Sequence, residues 1–177
     1  MIDIETSRLI LRLVPLTGLA ATAAKDRPAA RRIIGMELPE AWFDEAWVSE
    51  LRLKQWTEDP SYRPWSIRAI CLKNTGQIIG NMNCHHAPMP FMIGGEAMLA
   101  VELGYTIFEP WRRQGFVTEA IQGFTKWAAT QSLQALVLSI SPDNAASLGL
   151  AAKLGGEKIG SQVDEIDGPE DIYLVRM

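Results

Sequence analysis

The pattern of apolar and polar residues predicts one mixed α/β domain, residues 1–177, built around a sheet. Two stretches carry most of that prediction. "ALVLSIS", Ala135 to Ser141, is short, apolar and unbroken, which suits a strand covered on both faces. Val117, Ala120, Ile121, Phe124, Trp127 and Ala128 fall at i, i+3, i+4, i+7, i+10 and i+11, an apolar stripe down one helix face. Around them, strand-like and helix-like segments follow the order β, α, α, three strands, then α, β, α, β, β, with no repeat, linker or low-complexity block.

Each element has its own local reason. "RLILRLV", Arg8 to Val14, is rich in leucine and β-branched residues and stops at Pro15, a first strand. Leu19 to Ile34 is rich in alanine and arginine and predicts helix, broken or restarted at Pro28. Between Pro39 and Pro60, Trp42, Trp47, Leu51 and Trp56 recur at near-helical spacing and predict one helix whose aromatic stripe enters the core. In "WSIRAICLKNTGQIIGNMNC", Ile67, Ala69 and Cys71 alternate with more polar neighbours and Asn74 to Gly76 supplies the turn, so the segment is a hairpin. A Pro/Gly/Met-rich loop, Ala87 to Ala97, leads to the extended strand "MLAVELGYTIF", closed by Pro110. "PDN" supplies turn and cap residues before a small-residue helix, Ala145 to Leu154, which Gly155-Gly156 ends. Two last strands, around Glu157 to Val163 and Ile172 to Arg176, flank an acidic loop.

Composition bounds the function classes. With 47% apolar and 21% charged residues, the 177-residue chain is globular rather than disordered. A formal charge of −4 argues against nucleic-acid binding, which needs a basic surface to neutralise phosphates. Cys71 and Cys84 make no disulfide framework and suit a reducing compartment. Asp3 and Glu5 stand where a signal peptide carries positive charge, and no apolar run approaches the roughly 18 residues of a membrane span. The expectation is a soluble cytoplasmic protein without nucleic-acid or membrane partners. Oligomeric state is not legible, and a homodimer is left open.

The stretch "PWRRQGFVTEA", Pro110 to Ala120, concentrates the chemistry. A strand, a tight basic turn and a helix form a layout that binds phosphate: first-turn N–H groups lack intrahelical partners and the helix dipole adds positive charge. Gly115 lets main chain approach an oxyanion, and Arg112 and Arg113 add charge. On physics alone, an anion cradle and a charged surface turn are equally good descriptions.

Its surroundings add a resemblance. Arg112-x-x-Gly115-x-Val117 resembles the acetyl-CoA pyrophosphate loop of the GNAT superfamily of N-acetyltransferases, whose pattern is Gln/Arg-x-x-Gly-x-Gly/Ala. "TSRLILRLVPL", "TGQIIGNM", "VELGYTIFEPWRRQGFVTEA" and "NAASLGLAAKLGGEKIG" resemble, in order, segments of the branch holding the ribosomal-protein alanine and serine N-acetyltransferases. The resemblance covers most of the chain. It implies the GNAT fold, a central mixed, mostly antiparallel, twisted sheet of about six to seven strands flanked by about four helices. It also implies transfer of acetyl from acetyl-CoA, the cosubstrate, to a primary amine, a protein N-terminus or small molecule, by direct attack.

Carried over by position, the resemblance assigns the pyrophosphate to main-chain amides from Arg113 to Thr118 (Arg113, Gln114, Gly115, Phe116, Val117 and Thr118), with Arg112 beside them as a cofactor-binding charge. Tyr105, Ile107 and Phe108 would run beside the pantetheine arm, where a main-chain N–H polarises the thioester, and Asn144 would bond the pantetheine or the phosphate end. Glu102 is the expected base, direct or through water, with a structural ion pair as the alternative. Ser139 or Ser141, the latter nearer the strand end, would donate to the departing thiolate, unless it satisfies the following turn. His85 and His86 have no metal-ligand spacing with the cysteines and are assigned structural roles. Glu119 complements the helix dipole. The acidic run Val163 to Asp171 either borders the acceptor site or is a solvated loop. Three departures stand out: Val117 where Gly or Ala is usual, Gly156 where Phe is usual, and Ala151 where many relatives carry the tyrosine general acid. A non-catalytic acyl-CoA-binding module is the alternative function; a nucleotide-binding enzyme is disfavoured because no G-x-x-x-x-G-K-[ST] or G-x-G-x-x-G occurs.

Overall fold

Leu9, Leu11 and Leu13 are buried while Ile10 and Arg12 between them are partly exposed, so the opening run becomes a strand with one covered face. The computed structural model describes residues 3–164 and 168–177. Its contacts group the chain into two units, Met1–Cys84 with Tyr105–Phe124 and His85–Gly104 with Thr125–Met177.

In the first unit four antiparallel strands lie side by side in chain order, β1 (Ile4–Glu5), β2 (Leu9–Leu13), β3 (Arg68–Leu72) and β4 (Ile78–Cys84). The expected hairpin is β3–β4. The Ala/Arg-rich segment forms two helices, α1 (Leu16–Ala23) and α2 (Arg27–Ile34). Pro28 sits in the first turn of α2, where its missing N–H costs nothing, Asp26 caps Ala29 N–H at 3.1 Å, and Gly35 ends the helix at φ 74°. Leu19, Ala30, Ile34, Leu38, Trp42 and Phe43 pack on Ile67, Ala69, Cys71 and Ile78.

The segment after Pro39 departs from expectation. Trp42 belongs to a short 3-10 turn, Glu40–Trp42, and is buried, its indole N–H donating to Thr22 Oγ1 at 3.1 Å. The helix proper, α3 (Ala46–Glu58), starts after a break. That break resets the phase, so Ala46, Ser49 and Arg52 face inward while Trp47 and Leu51 are exposed. The buried Arg52 guanidinium is satisfied by Asn83 Oδ1 at 2.7 Å and Gln55 Oε1 at 2.8 Å.

The second unit holds β5 (Met89–Ile93), most of β6 (Glu96–Ile107), β7 (Ala135–Ile140), β8 (Glu157–Asp164), β9 (Gly168–Arg176) and α5 (Ala145–Lys153). The order is β5-β6-β7-β9-β8, with β6 and β7 parallel and the other pairs antiparallel. The expected Ala87–Ala97 loop is instead mostly a hairpin, β5–β6. Gly94 and Gly95 turn it with φ of 58° and 91°, the sign that a two-residue hairpin turn requires. Pro88 and Pro90 disguised the strand; Pro90 is tolerated because β5 pairs with β6 alone among the described residues. Nine strands and five α-helices are described, more than the six to seven and four expected, but the mixed, mostly antiparallel α/β class holds.

β6 and the helix α4 (Phe116–Ala129) each give residues to both units. Where the end of β6 runs within the first unit, Phe108 N–H donates to the Ile79 carbonyl at 2.9 Å. A Cβ on Gly80 would stand 2.1 Å from the Thr106 carbonyl oxygen, so only glycine permits this approach. Cys71 and Cys84 are free and buried in the first unit. Burial pushes the Cys71 thiol up to about 11 and the Cys84 thiol higher still.

Candidate functional site

The chain leaves β6 through a 3-10 turn, Glu109–Trp111, because Pro110 cannot extend a ladder. Arg113 (φ 61°) and Gly115 (φ 77°) then both take left-handed conformations directly ahead of α4. Such alternation turns successive N–H groups toward one side, the arrangement that makes an anion-binding concavity. Glu119 N–H donates to the Gly115 carbonyl at 3.1 Å; the N–H groups of Phe116, Val117 and Thr118 precede it, at the positive end of the helix. Both arginines are exposed, and Arg112 has an internal partner. Arg112 Nε donates to the Ile107 carbonyl at 2.8 Å and so braces the turn. Gln114 Nε2 braces it again through the Pro110 carbonyl, 3.1 Å.

A residue outside the motif holds the loop from the other side. Arg8, just ahead of β2, donates through Nε to Glu119 Oε2 at 2.6 Å and through Nη1 to the Gln114 carbonyl at 3.2 Å, and its guanidinium lies 4.4 Å over the Phe116 ring. Glu119 also accepts from Arg8 N–H and Thr6 Oγ1, both at 2.6 Å. Burial raises its carboxyl, but these bonds from Thr6 and Arg8 outweigh that and hold it below the usual glutamate range. Glu119 is therefore a clamp as well as a dipole complement. By tying the Gln114 carbonyl to Arg8, the clamp keeps that acceptor from competing for the cradle.

In the second unit, the parallel ladder between β6 and β7 covers Ala100↔Ala135, Val101↔Leu136 and Glu102↔Val137 and then stops, while β7 continues to Ile140. The two strands part after Glu102. One face of this sheet is apolar, built from Ala100, Ala135, Val137 and Leu174 with Phe91, Ile93, Met98, Ile159 and Ile172. Glu102 and Ser139 are the next residues on that same face. Apolar packing thus gives way to a carboxylate and a hydroxyl where the ladder ends.

Three polar side chains meet there. Ser139 hydrogen-bonds the Glu102 carboxylate, and His85 Nδ1 lies 3.3 Å from Glu102 Oε1. His85 N–H also donates to the Glu102 carbonyl at 2.8 Å, fixing the two main chains. Burial raises the Glu102 carboxyl, yet the bonds from His85 and Ser139 and the nearby histidine charges hold it below the glutamate range. His86 turns away and places Nδ1 2.8 Å from the Ala87 carbonyl, a contact that needs the proton on that nitrogen. Of the sequence-assigned residues, Glu102 and Ser139 are thus brought together, while Ser141 closes a local turn, its Oγ accepting from Asp143 N–H at 3.4 Å. Arg8 and His85 were not singled out for function. Their signals, an arginine just before one strand and a histidine just after another, acquire meaning only through partners distant in the chain.

The Acetyltransferase (GNAT) domain family model matches residues 8–157. The chain belongs to this family. Among solved structures it is similar to an acetyltransferase from Agrobacterium tumefaciens, with 23% identity, 100% and 95% of the two chains covered, and TM-score 0.63. It is also similar to a ribosomal-protein-S5-alanine acetyltransferase from Vibrio fischeri, with 19% identity, 99% and 97% coverage, and TM-score 0.66. A third is the acetyltransferase that modifies the N-terminal serine of ribosomal protein L7/L12 in Salmonella typhimurium, with 14% identity, 99% of both chains covered, and TM-score 0.62.

As a GNAT domain, the chain shows where its departures fall. Ala151 is fully buried, so the helix has no room there for a tyrosine acid. A Cβ on Gly156 would come within 3.0 Å of the Ala151 carbonyl oxygen, which accepts Gly156 N–H at 2.8 Å; the tight end of α5 suits glycine rather than an aromatic residue. Val117 is half-buried at the start of α4. Asn144 caps α5, its Oδ1 accepting Ser147 N–H at 3.1 Å. Phe108 N–H, one of the main-chain donors expected beside a thioester, is taken by the Ile79 carbonyl at 2.9 Å. In the acidic hairpin, Asp171 pairs with Lys158 at 2.7 Å and Ser161 at 2.9 Å, and Glu170 accepts from Gln162 at 3.1 Å. Glu165, Ile166 and Asp167 of that run lie outside the described residues. No described helix is long and apolar enough to cross a membrane, and no described group of three or more His, Cys, Asp or Glu could hold a metal ion.

Proposed function

We propose that the chain is one acetyl-CoA-dependent N-acetyltransferase domain that passes an acetyl group to a primary amine, a peptide N-terminus or a small molecule, by direct attack. The observation that supports this most is the pair of left-handed residues, Arg113 and Gly115, immediately before the first-turn N–H groups of α4. A diphosphate fits such a cradle because it needs several converging donors and close main-chain approach, and Gly115 offers the second by lacking a Cβ. Arg112, Gln114, Arg8 and Glu119 brace the loop, so the donors are positioned before any ligand arrives.

When bound, acetyl-CoA supplies the activated acyl group. The chain's own part is to hold that thioester and to take up the proton that the amine must shed. Glu102 is the centre of that proton removal, since it is the carboxylate at the point where β6 and β7 part. One similar structure is a ribosomal-protein-S5-alanine acetyltransferase and another modifies an N-terminal serine, so peptides that begin with alanine or serine are the first to try. A cytoplasmic location suits the two free thiols.

The test is calorimetric titration with acetyl-CoA, followed by thiol release with tetrapeptides that begin with alanine or serine and a panel of simple amines. Saturable binding with acceptor-dependent release is the expected result. Binding with no release on any acceptor would instead favour a non-catalytic acyl-CoA module, and no binding would remove the cradle.

A further inference from the structure

We propose that His85, rather than Glu102 itself, takes the proton from the acceptor amine, and that Glu102 is its positioning residue, held in turn by Ser139. The proposal rests on the N-acetyltransferase function above and assigns the proton path within it.

The geometry carries it. A carboxylate only accepts, so the ring nitrogen facing Glu102 Oε1 at 3.3 Å, His85 Nδ1, bears the proton. The basic lone pair of the neutral imidazole is then at Nε2. Glu102 is three-quarters covered, whereas the His85 side chain is 42% exposed, so His85 is the more accessible of the pair. Glu102 is already committed to two donors, His85 and Ser139, and their bonds hold its carboxyl below the ordinary range. A carboxylate so stabilised is a poor proton acceptor and a good partner for an imidazolium. The main-chain bond from His85 N–H to the Glu102 carbonyl, 2.8 Å, locks the two residues in register. The neighbouring His86 directs its Nδ1 to the Ala87 carbonyl at 2.8 Å, whereas His85 directs its Nδ1 to the Glu102 carboxylate.

The step balances. The amine nitrogen attacks the acyl carbon, a C–N bond forms, and the nitrogen's proton passes to His85. The C–S bond breaks, and its electron pair leaves on the thiolate. The imidazolium formed beside Glu102 then gives its proton to solvent, from which the thiolate is protonated. Products are the acetylated amine and the free thiol.

The test uses the full chain and the fastest acceptor from the tetrapeptide and amine panel. His85→Ala is expected to lower kcat by roughly 100-fold, the lower range for a lost proton acceptor, with acetyl-CoA affinity unchanged by calorimetry. Added imidazole should restore part of the rate to His85→Ala and none to Glu102→Gln. The double variant should be no slower than His85→Ala, since Glu102 acts through His85. Independently of turnover, 15N NMR of the ligand-free protein should show the His85 tautomer balance shift in Glu102→Gln. His85→Gln, which keeps a polar side chain, checks that the loss is not one of folding. Wild-type kcat in His85→Ala, or an unaltered His85 spectrum in Glu102→Gln, overturns the proposal while leaving the acetyltransferase function standing. A wild-type protein that binds acetyl-CoA and acetylates nothing overturns both.

Discussion

Between Arg112 and Thr118 the functional groups are main-chain N–H donors in consecutive residues, and side chains mostly brace them. Around Glu102 the functional groups are side chains, drawn from the segment that follows β4, the middle of β6 and the end of β7. The first is local chemistry, carried by a glycine, a turn and a helix start. The second exists only because strands distant in sequence are paired. A backbone site of the first kind tolerates side-chain change except where φ is positive or a Cβ intrudes. A side-chain cluster of the second kind tolerates none at its members.

The largest effect should come from breaking the backbone site at its glycine. Gly115→Asp adds a charge at the cradle, and a Cβ there lies 3.6 Å from Arg8 Nη2, so the new carboxylate also neutralises that arginine. A loss of about 3 kcal/mol or more, the cost of an uncompensated charge, corresponds to roughly 100-fold or more in acetyl-CoA Kd. Calorimetry on a variant with a native circular-dichroism spectrum checks it. Neutral change would mean that the loop is a surface turn.

Next in size is Gly80→Ala. The intruding Cβ meets main chain at Thr106 and cannot be relieved by a rotamer change. Loss of stability by about 1–3 kcal/mol or more is expected from overpacking, read from urea melts. An unperturbed melt would show that β6 can shift away without cost.

Arg8→Ala is a milder test of the same loop. Its three contacts would be worth several kcal/mol if buried, but the side chain is about half exposed, and roughly 1 kcal/mol is expected after solvent screening. Acetyl-CoA affinity should fall a few-fold while the cradle survives. A loss as deep as that of Gly115→Asp would mean that Arg8 binds the ligand itself.

The smallest effect sharpens the second region. The Glu102 carboxyl is lowered in the folded chain relative to its ordinary unfolded value of about 4.3. Its stabilisation is therefore present above that value and lost as pH falls through the folded one. The melting-temperature gap between wild type and Glu102→Gln should be widest above about pH 5 and close on acidification. A gap independent of pH would mean that the carboxylate and the amide are held equally well.

The same contrast explains what could be read in the sequence. Pro28, Gly155 and the run from Pro110 to Thr118 act through local conformation, and they were legible as break, cap and loop. The α3 stripe was misread because its periodicity assumed an unbroken helix through Phe43 to Glu45, where the chain in fact changes phase. The β5 strand was missed because two prolines outweighed the Gly94-Gly95 turn, although an edge strand tolerates them. Glu102 and Ser139 could be named as polar residues on strands. That they share a face with each other, and a partner in His85, depends on a register that no single segment encodes.

The two cysteines have a practical consequence. Cys71 and Cys84 are almost wholly covered, and burial suppresses the thiolate at both. A thiol-reactive dye used to follow coenzyme release should therefore see no background from the folded chain. Whatever protein signal does develop counts molecules whose first unit has opened, because both sulfurs lie in its sheet. The chain carries its own clock for local unfolding, and the dye trace separates slowly rising opening from the acceptor-dependent burst of catalysis.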